Sequence, residues 1–144
     1  MNIFENLINI NYQNNSGITG ITDEFFCVYL YELLKKQNKN ILVVVNSLYE
    51  ANKIYSSLNN YTDDVFLFPM DDFLTSEAIA ISPDLLISRM ETIKNINSSV
   101  PKIIITNLMG YLRFLPTPEF YRDSIINISV GMSIEPKKLY EKLI

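Results

Sequence analysis

Two glycines and two acids precede the first strongly helical stretch, in a segment spaced like a phosphate-binding loop. A working loop wraps phosphates with backbone N–H groups at its glycines, and it adds a lysine for the β/γ oxygens and a Ser/Thr hydroxyl for magnesium. Aligning Gly17 and Gly20 on that pattern places Thr22 at the second glycine, Asp23 at the lysine and Glu24 at the hydroxyl. Two acids would then face a polyphosphate, at a cost of about 1–4 kcal/mol for each like-charged pair at 4 Å separation. We predict a vestigial loop that binds no nucleotide.

Two pairs of neighbouring acids, Asp63 with Asp64 and Asp71 with Asp72, could supply carboxylates to magnesium. The second pair follows a predicted strand, and α/β proteins bind ligands where their strands end. Neither pair has a lysine, serine or histidine at a spacing that completes a site. We therefore interpret both pairs as solvated loop residues and predict no metal site.

The composition removes several kinds of chemistry. The chain has no histidine, so it lacks the usual general base at neutral pH and the commonest transition-metal ligand. Its one cysteine, Cys27, excludes an internal disulfide and a cysteine-based zinc site. Because Cys27 lies between Phe26 and Val28, we predict a buried and unreactive thiol. Three single arginines are interpreted as surface or interface charges: Arg89, Arg113 and Arg122.

Length, charge and hydropathy predict one soluble domain. The 144 residues are 48% hydrophobic, which is enough for one sizeable core. The 12 basic and 16 acidic residues give a net charge of −4, which disfavours attraction of nucleic acid by the chain as a whole. No apolar run is long enough to cross a bilayer, and Met1 opens onto polar residues instead of a basic and then apolar leader. We expect an unexported, cytoplasmic protein with no membrane partner.

The first half of the chain alternates between helix-type and strand-type spacing. Thr22 can cap a helix that has acids in its first turn and lysines in its last. Residues 41–45 form a continuous aliphatic run, which is typical of a strand buried on both faces of a parallel sheet. Ser47 and Glu50 form a capping box that opens the next helix. The side chains predicted to face inward from that helix are Leu48, Ala51, Ile54, Tyr55 and Leu58.

The second half continues the alternation. Residues 65–68 form a predicted strand that Pro69 ends, and Ser82 with Pro83 marks a helix start. The predicted buried face of that helix comprises Leu85, Leu86, Met90, Ile93 and Ile96. The remaining predicted elements are a strand at 102–106, a short helix at 107–114, a helix start at Thr117, a last strand at 125–130 and a helix from Pro136.

Strands that alternate with helices at this spacing predict an α/β fold with a mostly parallel sheet flanked by helices. Since the loop at its start lacks the catalytic residues, the residues alone favour a binding or scaffolding role over an enzyme. The chain stops inside an amphipathic segment with no helix stop signal, which we interpret as a truncation at the C-terminal helix.

Five motifs in one order resemble a known family. They are Phe68-Pro69-Met70-Asp71-Asp72 with Glu77, Ser82-Pro83-Asp84-Leu85-Leu86, Arg89-Met90-Glu91-Thr92-Ile93, Leu115-Pro116-Thr117-Pro118-Glu119-Phe120, and Val130-Gly131 with Leu139-Tyr140-Glu141-Lys142-Leu143. Together they resemble the N-terminal region of transcription-repair coupling factor, Mfd, over about 16–144. The same region is similar to the first domain of the excision-repair protein UvrB, where the loop would be a complete ATP site. The missing lysine and the short connection after Pro69 favour the Mfd version.

The resemblance implies a degenerate P-loop, helicase-like domain at 16–144, like UvrB domain 1, after a helical lead-in at 1–15. It implies no catalytic residue and no metal here, with ATP and magnesium serving only a downstream motor. The parent protein would be an ATP-dependent DNA translocase that displaces RNA polymerase stalled at a lesion. It would then recruit UvrA for nucleotide excision repair, mainly through the domain that follows residue 144. Other domains of the parent, the polymerase and DNA would be further partners.

Two alternatives stay open. One is a UvrB-type or helicase-type ATP-dependent DNA-repair nucleotidase, which needs the lysine that Asp23 replaces. The other is a stand-alone flavodoxin-like or receiver-type α/β binding domain. A receiver needs acids at the ends of its strands, and Asn46 and Asn107 follow the strands here instead.

Overall fold

The computed structural model describes residues 17–71, 82–96 and 98–143. These fall into two compact units, one that ends at Arg113 and one that comprises Phe114–Ile144. The predicted boundary between a lead-in at 1–15 and a domain at 16–144 lies at the edge of the described residues, and it stays a prediction. No helix of the described part of the chain is both long enough and apolar enough to span a membrane.

Helix α1, Asp23–Gln37, forms as its capping residues dictate. The Thr22 hydroxyl accepts a hydrogen bond from the backbone N–H of Phe25 at 3.3 Å, which satisfies a donor that the first turn leaves free. At the other end Asn38 adopts the left-handed conformation, with φ 50°, and its N–H bonds the Leu34 carbonyl. Asparagine tolerates this conformation better than other non-glycine residues. The predicted first helix is confirmed.

Strand β1, Ile41–Val45, leads into helix α2, Leu48–Leu58. The predicted cap opens this helix: Glu50 N–H donates to the Ser47 hydroxyl at 3.2 Å. The Glu50 carboxylate accepts from the N–H of Asn46, one residue before the cap, at 3.2 Å. Of the side chains predicted to face inward, Ala51, Ile54 and Leu58 are buried, and Leu48 and Tyr55 are half-buried.

Among the described residues, the sheet has three parallel strands in the order β1-β3-β2, where β2 is Val65–Phe68 and β3 is Ile103–Asn107. Every residue of β3 is buried, as a central parallel strand requires. The register places Ile105 between Val43 of β1 and Leu67 of β2. The predicted α/β class with a parallel sheet is confirmed.

The main core lies on one face of this sheet. Alternate strand residues point to that face, where they pack with apolar side chains of α1 and α2. This core includes Val43, Val65, Leu67, Ile103 and Ile105 from the strands, with Cys27, Leu30, Leu34, Ala51, Ile54 and Leu58 from the helices. Helix α3, Pro83–Ile96, packs against β2, and its Thr92 hydroxyl donates to the Leu67 carbonyl at 2.7 Å.

The prediction that strand β1 is buried on both faces is wrong. Val43 is buried, but Leu42 is 55% exposed and Val44 is 41% exposed. The reason is the strand order: α3 packs against β2, which is at the opposite edge of the three described strands. The aliphatic run therefore identified the strand but did not show which of its faces is packed against other elements.

The buried face of α3 is also different from the predicted one. Arg89 and Thr92 are buried. Of the residues predicted to be buried, Leu85 and Ile93 are half-buried, and Leu86, Met90 and Ile96 are exposed. Thr92 donates its hydroxyl to main-chain carbonyls of Leu67 and Ser88. This contact turns a polar side of the helix toward the sheet. Arg89 was expected to be a surface charge, and that expectation is wrong.

A short helix, α4 (Leu108–Tyr111), follows β3 within the predicted range and completes the described part of the first unit. The second unit contains α5, Pro118–Ser124, and α6, Pro136–Leu143. The Thr117 hydroxyl caps α5 by accepting from Phe120 N–H at 3.3 Å, as the Thr-Pro-Glu signal predicts.

The predicted last strand at 125–130 is wrong. These residues form no ladder with any described strand, and three of their apolar side chains are exposed: Ile125, Ile128 and Val130. Gly131 has φ 88° in the turn that follows, which explains the glycine at this position. β-branched composition alone does not make a strand where no partner backbone pairs with it.

Candidate functional site

The segment predicted to be a vestigial phosphate loop approaches α1 without regular secondary structure. Gly20 has φ 79°, a left-handed conformation that glycine adopts without strain. Gly17 and Gly20 are exposed, and a Cβ added at either glycine would meet no described atom within 4 Å. The Thr22 hydroxyl is engaged in capping α1. A loop conformation is present at the predicted position, and the hydroxyl of Thr22 stabilises the helix.

Asp23, which the predicted alignment places at the phosphate-binding lysine, forms an ion pair. Its carboxylate accepts from the Lys53 ammonium of α2 at 2.6 Å, and both side chains are exposed. This hydrogen bond and the charge of Asp23 raise the pKa of Lys53 above its ordinary value. Glu24 is exposed beside it. The entrance to α1 thus presents two carboxylates, one of them already paired, to any approaching anion.

A second group of polar side chains lies at the carboxyl ends of β2 and β3. The Asn107 amide donates to the Met70 carbonyl at 2.7 Å and accepts from the Met70 N–H at 3.1 Å. The same Asn107 oxygen accepts from Gly110 N–H at 3.3 Å, which caps α4. One fully buried amide therefore joins the end of β3, the segment after β2 and the start of α4.

Two hydroxyls reinforce this junction. Thr106 donates to the Phe68 carbonyl at 2.7 Å, and Thr92 of α3 donates to the Leu67 carbonyl at 2.7 Å. Gly110 leaves room for the first of these bonds, because a Cβ there would lie 2.4 Å from the Thr106 hydroxyl and 2.9 Å from the Phe68 carbonyl oxygen. These hydroxyls are engaged with main-chain groups, so the junction holds the strands together and offers little to a substrate.

The acids of the two predicted pairs differ in their partners and exposure. Asp64 was interpreted as a solvated loop residue without a lysine partner, and this is wrong: Lys102 donates to its carboxylate at 2.5 Å. Lys102 is distant in sequence, but β2 and β3 run side by side and bring it to Asp64. Asp63 is exposed and Asp71 is half-buried, while Asp72 lies outside the described residues. The described ranges contain no group of three or more acids or cysteines that could hold a metal ion.

The remaining candidate residues fall into buried and exposed sets. Cys27 is buried, as predicted, and desolvation raises the pKa of its thiol, so the reactive thiolate is disfavoured. Arg113 and Arg122 are exposed, as predicted, and Arg122 pairs with Glu119 at 3.4 Å. Arg89, by contrast, is only 7% exposed, and its guanidinium donates to the Met70 sulfur at 2.9 Å.

Sequence analysis missed the junction at Asn107 altogether. The available signal was a Thr-Asn pair at the end of an aliphatic run, where a buried strand continues with polar side chains. Such side chains need partners when they are buried. Their partners, Met70 and Phe68, lie 37 or more positions earlier, so no local pattern names them.

Comparison with known proteins identifies a set of relatives. The chain is 28% identical over 145 aligned residues to the transcription-repair-coupling factor of Staphylococcus epidermidis and 28% identical over 129 residues to that of Bacillus subtilis. It is 25% identical over 145 residues to that of Staphylococcus aureus. The resemblance inferred from the motifs is confirmed. No protein-family model matches the chain, and no solved structure matches it significantly.

The extent of the match is very unequal on the two sides. The match to the Staphylococcus epidermidis transcription-repair-coupling factor covers 99% of this chain and only 12% of that protein. The match to the Bacillus subtilis protein covers 88% of this chain and 11% of that protein. The chain therefore corresponds to about one-eighth of the length of these relatives.

The close packing at Gly110 predicts a large effect of one methyl group. Gly110→Ala forces a clash with the Thr106 hydroxyl and the Phe68 carbonyl, and we expect it to lower the free energy of unfolding by about 1–3 kcal/mol. Gly17→Ala is the matched control. Its Cβ enters open space, so we expect stability to be unchanged or slightly raised. Urea denaturation measures both, and equal stabilities of the two variants would contradict the packing at α4.

The ion pair at α1 predicts that the pKa of Lys53 depends on Asp23. Asp23→Asn removes the main cause of the raised Lys53 pKa, so we expect that pKa to fall toward its ordinary value. Glu24→Gln is the matched control, because Glu24 is the weakest of the named causes, and it should move the pKa much less. NMR titration of the Lys53 side chain measures both shifts. Because the folded-state pKa is raised, the stabilisation from this pair is present below the ordinary lysine pKa and is lost as the pH rises through the raised value. Larger movement in Glu24→Gln than in Asp23→Asn would contradict the pairing.

Proposed function

We propose that this chain is a non-catalytic, UvrB-like N-terminal module of a transcription-repair coupling factor, and that it supports UvrA recruitment after a stalled RNA polymerase has been displaced. The observation that carries the proposal is the similarity to transcription-repair-coupling factors over 99% of the chain. The match covers about one-eighth of those relatives. In this proposal the ATP-driven motor and the surfaces for polymerase and DNA belong to the rest of the parent protein. The main UvrA contact is also assigned to that remainder.

The charge arrangement at α1 supports a role without catalysis. A nucleotide site would need a free cation where Asp23 stands, and the nearby lysine, Lys53, is engaged by Asp23 itself. The buried polar groups at the carboxyl end of the sheet bond the main chain. Both features suit a scaffold, which positions neighbouring domains and needs no cofactor of its own. Such a module would act in the cytoplasm, where the chromosome is repaired and transcribed.

The alternative of a UvrB-type nucleotidase makes a different prediction about ATP. For a non-catalytic module we expect the same melting temperature with and without millimolar ATP and magnesium. A nucleotide present at 100 times its dissociation constant would stabilise the fold by about 2.7 kcal/mol, which differential scanning fluorimetry detects readily. The double variant Asp23→Lys, Glu24→Thr is the control, and it should gain no ATPase activity. Nucleotide-dependent stabilisation of the unaltered chain would favour the nucleotidase.

A segment exchange tests the repair role. The matched segment of the Bacillus subtilis transcription-repair-coupling factor is replaced by this chain, and both polymerase displacement and UvrA recruitment are measured in vitro. We expect the chimera to retain both activities, and a chimera with Leu58→Asp, which places a charge in the core, to lose UvrA recruitment. Circular dichroism and limited proteolysis of the chimera verify that the exchanged segment is folded. A folded chimera that displaces the polymerase but does not recruit UvrA would overturn the proposal.

A further inference from the structure

Arg89 is a buried cation without a carboxylate partner among the residues that the structure describes. Buried arginines are normally paired with acids, because an unpaired charge is costly to desolvate. Arg89 is 7% exposed, yet its one hydrogen bond to a described group goes to the thioether sulfur of Met70 at 2.9 Å. That sulfur is a weak and uncharged acceptor. None of the ion pairs formed within the described ranges includes Arg89.

The charges around Arg89 leave this cation under-compensated. Burial and the neighbouring positive charge of Arg113 lower the pKa of Arg89, and the more weakly acting Asp71 raises it. A guanidinium stays protonated at neutral pH even when it is perturbed. Among the described residues, two guanidinium groups therefore act on the same region, next to the segment that follows β2, with one acid nearby. An added negative group would relieve both the desolvation and the repulsion.

The surface next to Arg89 is apolar. Leu86 and Met90 lie one helical turn apart on α3, and they are 39% and 52% exposed. Leu86 is one helical turn before Arg89, and Met90 is one turn after Leu86, so the two apolar side chains form a neighbouring row on the exposed part of α3. A ligand that reaches Arg89 would also cover apolar surface, which is the composition of a protein docking site and not of a free-ion site.

Charge also decides between a carboxylate and a phosphate. The chain has a net charge of −4, and Asp71 is close enough to influence Arg89. A free phosphate carries up to two negative charges, and a phosphate in DNA belongs to a polyanion. Either would be repelled by the net charge of the chain and by Asp71. A single carboxylate carries one charge, and its two oxygens match the planar fork of a guanidinium.

We propose that Arg89, assisted by Arg113, binds the carboxylate of an Asp or Glu side chain in a partner protein, and that apolar residues beside that acid cover Leu86 and Met90. This is a docking surface for an acidic and apolar protein segment. It is independent of the repair role, because it follows from the charges of Arg89 and Arg113 and from the exposure of α3.

The test uses the full chain labelled with nitrogen-15 and two peptide probes, N-acetyl-Leu-Glu-Leu-amide and its Gln counterpart. We expect the Glu peptide to shift the Arg89 Nε–Hε signal saturably at millimolar concentration, and the Gln peptide to bind at least about tenfold more weakly. Met90→Ser should weaken binding of the Glu peptide by removing apolar contact. Inorganic phosphate at the same concentration should leave the signal unchanged.

Three arginine variants separate a docking role from a structural one. Arg89→Lys should weaken the Glu peptide about tenfold, since an ammonium cannot form the bidentate contact. The exposed Arg113→Gln should weaken it several-fold without affecting folding, which keeps the test informative if Arg89→Lys does not fold. Arg122→Gln, whose arginine pairs with Glu119, is the control and should bind the peptide normally.

Four results would overturn the proposal. Equal binding of the Glu and Gln peptides would mean that only apolar contact matters, and tighter binding of phosphate would mean a phosphate site. No shift with either peptide would remove the surface as a docking site. A shift of the Arg89 signal on changing Glu77→Gln in the peptide-free protein would mean that an acid of this chain already neutralises the guanidinium.

Discussion

The side-chain amide of Asn107 is the interaction on which the described sheet and its flanking elements most depend. It exchanges hydrogen bonds with both main-chain groups of Met70, as an opposing residue in a β-ladder would. Pro69, which directly precedes Met70, has no N–H to donate to a ladder. The amide therefore extends the pairing of β2 and β3 by one step beyond a proline, and its oxygen also caps α4. Because Asn107 is fully buried, both ends of that amide must be satisfied for the strands to stay together.

The segment before α1 has the glycine spacing of a phosphate-binding loop but a different arrangement of charges. Gly20 has φ 79° shortly before α1 begins, and the Thr22 hydroxyl accepts from Phe25 N–H in the first turn. In a working loop a cation of the chain would meet an anion of the ligand. Here the anion is Asp23 and the cation is Lys53 of the neighbouring helix, so the same attraction joins α1 to α2. An interaction that would serve a ligand serves the packing of two helices.

Local signals predicted the elements well, and long-range contacts decided the rest. Thr22, Ser47 and Thr117 cap helices because a cap involves residues only three positions apart. The pairing of Asp64 with Lys102 could not be predicted in this way, since it requires knowing which strands are neighbours. The buried face of α3 was mispredicted for a related reason: hydropathy favoured Leu86 and Met90, but the Thr92 hydroxyl found a strand carbonyl. Of the candidate site, the loop position was predictable from spacing, and the junction at Asn107 was not.

The strand order has a consequence for how the chain acquires its structure during synthesis. Both described neighbours of β3 precede it in the chain, and they pair with it and not with each other. When β1 and β2 leave the ribosome, their hydrogen-bonding edges have no described strand to pair with until residues 103–107 follow. Parallel pairing over such separations is slow, and aliphatic strands that wait for a partner are prone to aggregation. The described sheet can therefore form only after β3 has been synthesised, and the risk that β1 and β2 aggregate falls at that point.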